Sequence, residues 1–250
     1  MSADQLDPKR LQDWCDRADK TWEVVYSHFL RPPELASAVV YLQRLGDLHY
    51  LAWGGFAQAE RQILAIARKE LDLDTARVPL RALSITGNFL FDPASHRDFL
   101  GAMLGTGIER HQIGDIIILG DRGAQAIVAN HLVDYLEMHL NQVRTVPVKT
   151  KAMDLSQLQI RPPQQKEIVT TEASLRLDAL ASAGFSMSRS KMVDLITGEE
   201  VRVNWQAVTS PSHQLQTGDI VTVQGRGRLT IGEITVTKKE RYRVHLLRLI

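Results

Sequence analysis

The residues best suited to chemistry in this chain are cations at the start of a predicted helix. Ser188 is a typical N-cap residue, so Arg189 and Lys191 fall in the first turn of that helix. Cations there oppose the positive end of the helix dipole and cost about 0.3–1 kcal/mol each at the surface. A bound anion would reverse this cost, because free backbone N–H groups and two cations would converge on it. The pattern alone is equally consistent with a phosphate site and with two solvated charges on a helix end.

The last third of the chain carries more cations with the same possible use. Arg202 and Asn204 are expected to point outward from a short strand whose valines point inward. Residues 225–228, Gly-Arg-Gly-Arg, present two cations on a flexible backbone that can approach phosphates closely. We predict that the cations contact phosphates and that Asn204 contacts a base or ribose edge. The predicted RNA-binding residues are Arg176, Ser188, Arg189, Lys191, Arg202, Asn204, Arg226, Arg228, Lys238, Lys239, Arg241 and Arg243.

The charge of the chain is divided unevenly along its length. Residues 1–140 hold 14 Lys and Arg against 19 Asp and Glu, whereas residues 141–250 hold 16 against 10. The net charge of +1 hides this division. A basic C-terminal part without an amphipathic basic helix favours nucleic acid over a membrane as partner.

Composition describes an ordinary soluble protein with a packed core. Apolar residues make up 44% of the chain and charged residues 24%. The single cysteine, Cys15, cannot form an internal disulfide, which suits a reducing compartment. No apolar run approaches the roughly 20 residues of a spanning helix, and the polar N-terminus does not resemble a signal peptide. We expect a cytoplasmic monomer that does not insert into membranes.

Patterns typical of enzymes are weak. The eight histidines are scattered without metal-ligand spacing. Ser95, His96 and Asp98 are triad residue types, but adjacency in sequence does not provide triad geometry, and Ser95 is better explained as a helix cap. Gly54-Gly55 lacks the Lys-Ser/Thr pair of a phosphate loop and is expected to form a turn. We therefore expect no metal, no cofactor and no enzymatic activity.

Helical spacing predicts that residues 1–75 form a helical N-terminal region. One apolar stripe runs from Trp14 to Phe29 and ends at a Pro-Pro pair. A second helix is expected near Glu34, and a third in the segment AQAERQILAIARKEL. The aromatic side chains here are interpreted as core rather than as a surface for stacking bases.

Residues 76–155 predict the element order βαββαβ of the ferredoxin-like fold, which RNA-recognition modules share. The strands RALSIT and AQAIVA carry no aromatic residue on which a base could stack. Contact with RNA would then depend on loops and on Arg97, Arg110 and His111, and a scaffold or docking surface is an equal alternative. The last strand, QVRTVPVKTKAM, is expected at the sheet edge, which tolerates Pro147.

The remainder predicts a linker at residues 156–170 and a basic domain at residues 171–250. The linker contains Arg161-Pro162-Pro163. The domain begins with two helices, the first of which is expected to end at Gly184, and continues with strands. The whole chain is therefore predicted to be an α+β protein.

The segments RLDALASAGFSMSRSKMVDLI, VRVNW and GDIVTVQGRGR resemble the S4 RNA-binding domain, an αα-β module of a ribosomal protein and of many RNA-modifying enzymes. Two positions depart from its pattern. Met192 stands where the pattern usually has Ala, and Gly198 lies one residue early before Val201. The resemblance implies an S4 fold in which the turn before that strand differs.

The segments GGFAQAERQIL and SHRDFLGAMLGTGIERHQIGDIII extend the resemblance to the YlmH-like S4 proteins, whose cyanobacterial and plastid members are called photosystem II S4 domain proteins. That resemblance implies a non-enzymatic RNA-binding protein of the large ribosomal subunit. Its partners would be rRNA and possibly tRNA, in ribosome-associated quality control or translation.

Two alternatives remain at this point. Arg176-Leu177-Asp178 is similar to the catalytic Arg-Leu-Asp of pseudouridine synthases, so the domain could tether an RNA-modifying activity. The triplet, however, lies inside the S4 helix, with no separate catalytic domain to house it. The family name also allows an interaction adaptor in photosystem II biogenesis.

Overall fold

A computed structural model describes residues 6–160, 164–223 and 225–249 and divides the chain into two compact units, Met1–Ile160 and Arg161–Ile250. Helices and strands are mixed in both units, which confirms the α+β class. Arg161, Pro162 and Pro163 of the predicted linker lie outside the described residues. The further division of the first unit near residue 75 stays a prediction.

Two helices and a three-stranded antiparallel sheet form the start of the first unit. Asp7 caps the first helix by accepting a hydrogen bond from the Lys9 N–H, and Pro8 stands at the first helical position. The sheet order is β1-β3-β2. The elements are α1 (Pro8–Thr21), β1 (Val25–Leu30), α2 (Pro32–Leu42), β2 (Leu48–Trp53) and β3 (Gln62–Arg68).

The third predicted helix is wrong, because its segment forms β3. Leu64 and Ile66 pack in the cluster that contains α1 and α2, whereas Ile63 packs in a cluster with Phe29 and Ile127. Both faces of this central strand are therefore covered, and its apolar residues do not alternate with polar ones. Periodicity cannot distinguish such a run from a buried helix.

The predicted stripe from Trp14 to Phe29 is also divided between two elements. Helix α1 ends at Thr21, and Trp22 follows it in the left-handed region with φ 55°. Trp22 is 55% exposed and so does not belong to the core. The N-terminal region is thus mixed rather than wholly helical.

The second part of the first unit has the predicted ferredoxin-like order. Its antiparallel sheet has the strand order β5-β6-β4-β9. Ser95 and Asp98 form a capping box at the helix that begins at His96, as Ser95 was expected to do. The elements are β4 (Leu80–Thr86), α3 (His96–Gly105), β5 (Ile113–Ile118), β6 (Gly123–Ala129), α4 (Val133–His139), β7 (Gln142–Val143), β8 (Val146–Pro147) and β9 (Lys149–Met153).

Pro147 does not lie in the edge strand of that sheet. It belongs to the short β7–β8 hairpin, and β9 alone forms the edge beside β4. The predicted final strand is therefore split by a hairpin. Pro147 lies in a strand of only two residues. Its missing N–H therefore does not interrupt a longer ladder of backbone hydrogen bonds.

The second unit packs two helices against a six-stranded antiparallel sheet of order β10-β15-β14-β13-β11-β12. Its first strand covers residues 165–172, so part of the predicted linker belongs to the sheet. The elements are β10 (Gln165–Glu172), α5 (Leu177–Phe185), α6 (Arg189–Thr197), β11 (Val201–Val203), β12 (Gln206–Ala207), β13 (Ile220–Val223), β14 (Gly227–Val236) and β15 (Tyr242–Leu249).

Gly184 lies inside helix α5, where the helix packs against the sheet. Helix α5 continues one residue past Gly184, whose absent Cβ would lie 2.4 Å from Cδ2 of Leu229. That glycine therefore permits close helix–sheet contact and does not end the helix.

Met192 is fully buried, and Glu199, with φ 60°, takes the left-handed position that follows Gly198. The fold of the second unit therefore accommodates both positions at which the sequence departs from the pattern that it resembles.

Candidate nucleic-acid interface

Two of the predicted cations meet at one buried carboxylate. Arg176 donates from Nε and Nη2 to Asp178 at 3.0 and 3.2 Å. Arg189 donates from the same two nitrogens to the same carboxylate at 2.9 and 3.2 Å. Asp178 is 4% exposed, whereas Arg176 and Arg189 are 38% and 54% exposed. The carboxylate thus fixes two outward guanidinium groups at the start of α5 and α6.

Asp178 also changes the electrostatics expected from sequence. Burial alone would raise the pKa of its carboxyl, but the hydrogen bonds from Arg176 and Arg189 outweigh that effect and hold the pKa below its usual range. The same bond raises the pKa of Arg189. A stabilising partner for Arg189 therefore exists within the fold, so its position does not by itself require an anion.

Ser188 and Lys191 complete the start of α6. The Ser188 hydroxyl accepts a hydrogen bond from the Lys191 N–H at 3.3 Å, which confirms the predicted cap. Both side chains are exposed. Lys191 thus adds an exposed charge beside Arg189, which Asp178 holds in place. We call Arg176, Asp178, Ser188, Arg189 and Lys191 the Asp178 cluster.

A second group lies on the face of the sheet that the helices leave uncovered. Arg202 and Arg228 both pair with Thr222, one on each side, so the three lie in one cross-strand row. The flanking residues Val203 and Leu229 are buried in the core, which places the row on the opposite face. The Cα atoms of these two arginines are therefore about 10 Å apart, two strand spacings, on one face of the sheet.

Trp205 is a member of this group that sequence reasoning missed. The guanidinium carbon of Arg228 lies 4.7 Å from the centre of the Trp205 ring, and Arg202 donates to the Trp205 carbonyl at 3.4 Å. The sequence feature that could have identified Trp205 is an aromatic residue in a two-residue hairpin turn, at a position where Gly is usual. We call Arg202, Trp205, Arg226 and Arg228 the outer-face cluster.

Asn204 has a structural role that the sequence did not predict. Its side-chain nitrogen donates to Asp219 at 2.8 Å, and its side-chain oxygen accepts from the Ile220 N–H at 3.0 Å. With φ 47° it also occupies the first position of the turn. Both ends of the amide form bonds inside the domain, so Asn204 holds the hairpin, and its contact with a base or ribose edge stays a prediction.

Arg226 lies in the exposed turn between β13 and β14. Gly225 and Gly227 on either side have φ 70° and 93°, a conformation that glycine adopts without strain. The turn needs these glycines for its backbone, and Arg226 is its exposed cation.

The remaining predicted cations lie at the other end of the sheet. Lys238, Lys239 and Arg241 are exposed in the turn between β14 and β15, and Arg243 is exposed on β15. Strand β14 has ten residues, so about 30 Å separate this distal hairpin from Arg228. The twelve predicted residues therefore do not form one continuous patch.

In the first unit, the cations expected to touch RNA are used differently. Arg110 is half-buried and donates to the Ile113 carbonyl at 2.6 Å. The His111 ring lies 4.8 Å from that of His28 and contacts Glu109. Arg97 is exposed. Of the three, Arg97 alone is fully available at the surface.

The two segments that carried the wider family resemblance, GGFAQAERQIL and SHRDFLGAMLGTGIERHQIGDIII, are hydrogen-bonded to each other within the first unit. Asp115 accepts hydrogen bonds from the Glu60 and Arg61 N–H groups at 2.7 and 3.0 Å. Buried Arg61 donates to the Ile113 and Phe29 carbonyls. Burial and the neighbouring Arg110 lower the pKa of Arg61 to about 10. The motif GGFAQAERQIL therefore has a structural role here.

Gly54 confirms that the paired glycines form a turn. A Cβ at Gly54 would lie 2.4 Å from the Arg61 carbonyl oxygen, and Gly55 has φ 97°. Only glycine fits both positions without displacement.

Across the described residues, no three His, Cys, Asp or Glu side chains are grouped as metal ligands. No helix in the same part of the chain is long and apolar enough to cross a membrane.

Three protein-family models match the chain in sequence. Residues 4–71 match "YlmH, N-terminal", residues 78–157 match "Putative RNA-binding domain in YlmH", and residues 175–221 match "S4 domain". The three matched segments follow one another along the chain and together cover most of it.

Two individual proteins are similar over long stretches. "Ribosome-associated protein quality control protein P2" of Bacillus subtilis (strain 168) is 30% identical over 236 residues, which cover 93% of this chain and 90% of that protein. The solved structure of "Cell division protein ylmH from Streptococcus pneumoniae" superposes with a TM-score of 0.54 at 17% identity. It covers 61% of this chain and 92% of that one, and it supports the fold alone.

Proposed function

The chain belongs to the YlmH family of S4-domain proteins, and on that premise we propose that it binds rRNA of the large ribosomal subunit, tRNA or both. It carries RNA-binding domains, and its relative supports a ribosome-associated role. We further propose that it acts as a cytoplasmic monomer in ribosome-associated quality control or translation and catalyses no reaction. The Asp178 cluster is the observation that carries this proposal.

The cluster is suited to a phosphate because its arginines are positioned before RNA arrives. Each guanidinium gives Nε and Nη2 to Asp178, and the Nη1 of each has no partner among the described residues. Fixing both side chains in advance lowers the entropy that binding must otherwise cost. Arginine is also the side chain whose planar donors best match phosphate oxygens. Lys191 adds a third, adaptable cation.

The same geometry argues against a pseudouridine-synthase-like activity. A catalytic aspartate must reach the reacting base, but Asp178 is 4% exposed and both of its carboxylate oxygens accept hydrogen bonds from two arginines. Leu177 of the same triplet is fully buried. A uridine could reach the carboxylate only by displacing both ion pairs. Uridine isomerisation that Asp178→Asn abolishes would contradict the non-enzymatic proposal.

Co-sedimentation with purified ribosomal subunits tests the proposed partner. We expect the full chain to sediment with large subunits and much less with small ones. The logarithm of the affinity should fall linearly with the logarithm of salt, by about 0.7–0.9 per phosphate contact. Equal binding to both subunits, or an affinity that salt does not change, would sink the proposal.

A further inference from the structure

The hairpin between β11 and β12 has an unusual residue at its tip. Val203 pairs with Gln206, so Asn204 and Trp205 form a two-residue loop. Their φ angles are 47° and 70°, as a type I′ turn requires. Asn suits the first position, but the second strongly favours Gly, and a bulky side chain is strained there.

Packing does not account for this tryptophan. In the part of the second unit that the structure describes, Trp205 belongs neither to the buried core cluster nor to the apolar side chains packed against it. It is partly exposed. Its ring contact is with the Arg228 guanidinium at 4.7 Å. Strain at a residue without a core role is typical of functional positions.

The surroundings of Trp205 match the chemistry of single-stranded nucleic acid. Arg202 and Arg228 lie in one row beside it, and Arg226 is exposed in the next turn. Proteins that bind unpaired strands combine an aromatic surface for the base with cations along the backbone. Duplex RNA offers no such base, because its bases are stacked within the helix.

We propose that Trp205 stacks on one unpaired base of the bound RNA while the arginines of the outer-face cluster hold the phosphates beside it. This inference rests on the proposed function, since it assumes that the second unit binds RNA. It adds that the RNA presents an unpaired nucleotide to the sheet face, in addition to phosphates at the Asp178 cluster. The Trp205–Arg228 pair would already be stacked before the base arrives.

Two variants of the full chain separate the ring from the fold. Trp205→Gly removes the ring and gives the turn the residue that it favours, so the hairpin should persist. Trp205→Phe keeps an aromatic face at the same position. The probes are an RNA stem closed by an unpaired uridine loop, the same stem with abasic loop positions, and the same stem as a blunt duplex.

Wild-type protein should bind the uridine stem-loop more tightly than the abasic stem-loop or the duplex. Trp205→Gly should weaken binding to the uridine stem-loop on the order of 10- to 100-fold, the effect of losing one stacked base, and should leave duplex binding unchanged. Trp205→Phe should retain most of the affinity. Unchanged stem-loop binding by Trp205→Gly, or an equal loss on all three RNAs, would overturn the inference while RNA binding stands. A wild-type protein that sediments with large ribosomal subunits but does not prefer the uridine stem-loop would overturn this inference alone, whereas failure to sediment with large subunits would overturn the proposed function.

Discussion

A single buried aspartate organises the cations at the start of α5 and α6. Sequence reasoning identified Arg176, Ser188, Arg189 and Lys191, because caps and first-turn positions depend on neighbours along the chain. It did not predict Asp178 as their partner, since the Arg189 bond joins two helices across eleven residues. Such a contact depends on how α5 and α6 pack, which periodicity does not specify.

Asn204 and Trp205 show the same limit at neighbouring positions. The sequence placed Asn204 on an outward-facing strand and gave no role to Trp205, whereas the structure places both in the turn that follows that strand. The internal bonds of Asn204 depend on Asp219 and Ile220, which lie 15 and 16 residues away. Local pattern therefore located this surface but did not predict that Asn204 would hold the turn or that Trp205 would contact Arg228.

His28 makes the stability of the first unit depend on pH. Burial lowers its pKa; a bond to the Phe29 carbonyl opposes this, and His111 and Arg10 lower the pKa further. The native state therefore disfavours the charged ring, so the unfolded state binds more protons as pH falls below about 6.5. The contribution of His28 to the free energy of unfolding should be constant above that pH and fall below it.

Chemical unfolding at about pH 7.5 and 5.5 measures this effect. The wild-type protein should lose more stability between the two conditions than His28→Gln does. His213→Gln, at an exposed position of the second unit, is the control and should behave like the wild type. An identical pH dependence in His28→Gln would show that His28 does not cause the loss.

At the level of elements, the prediction succeeded where local signals are strong. The ferredoxin-like order was predicted because its strands are short, are bounded by glycine or turn residues, and alternate with capped helices. It failed at β3, where tertiary contacts bury both faces. It also failed at β10, where charged and β-branched residues in an expected linker pair with β15. Both strands depend on partners distant in sequence.

Gly184 gives a test of helix–sheet packing. A Cβ at this position would press on the fully buried Leu229 side chain, so Gly184→Ala should destabilise the second unit by about 1–3 kcal/mol. Helix propensity alone predicts a gain of up to about 1 kcal/mol. The control is Gly101→Ala in α3, where no atom lies within 4 Å of the added Cβ. Thermal midpoints should fall for Gly184→Ala and rise slightly for Gly101→Ala; a rise in both would refute close packing at Gly184.

At the level of the whole molecule, the cations are distributed rather than concentrated. The Asp178 cluster lies at the start of the two helices, the outer-face cluster lies on the uncovered sheet face, and the distal hairpin is about 30 Å from Arg228 along β14. A large, folded RNA can contact several such groups at once, whereas a short ligand cannot. This distribution supports structured RNA as the partner.

The central claim is that Asp178 positions two arginines for phosphate. Asp178→Asn and Asp194→Asn each remove one negative charge from the second unit, but only Asp178 holds arginines, and Asp194 is exposed on α6. If charge alone governs binding, both variants should bind RNA equally well or more tightly than the wild type. If Asp178 positions the two arginines, Asp178→Asn should instead bind RNA more weakly than the wild type.

The most direct measurement is therefore the affinity of the wild-type chain and of these two variants for purified large ribosomal subunits at one salt concentration. We predict that Asp178→Asn weakens binding about tenfold or more, which corresponds to roughly 1.4 kcal/mol, although its net charge has become more positive. Asp194→Asn should bind as tightly as the wild type or slightly more tightly. Equal or tighter binding by Asp178→Asn would contradict the account.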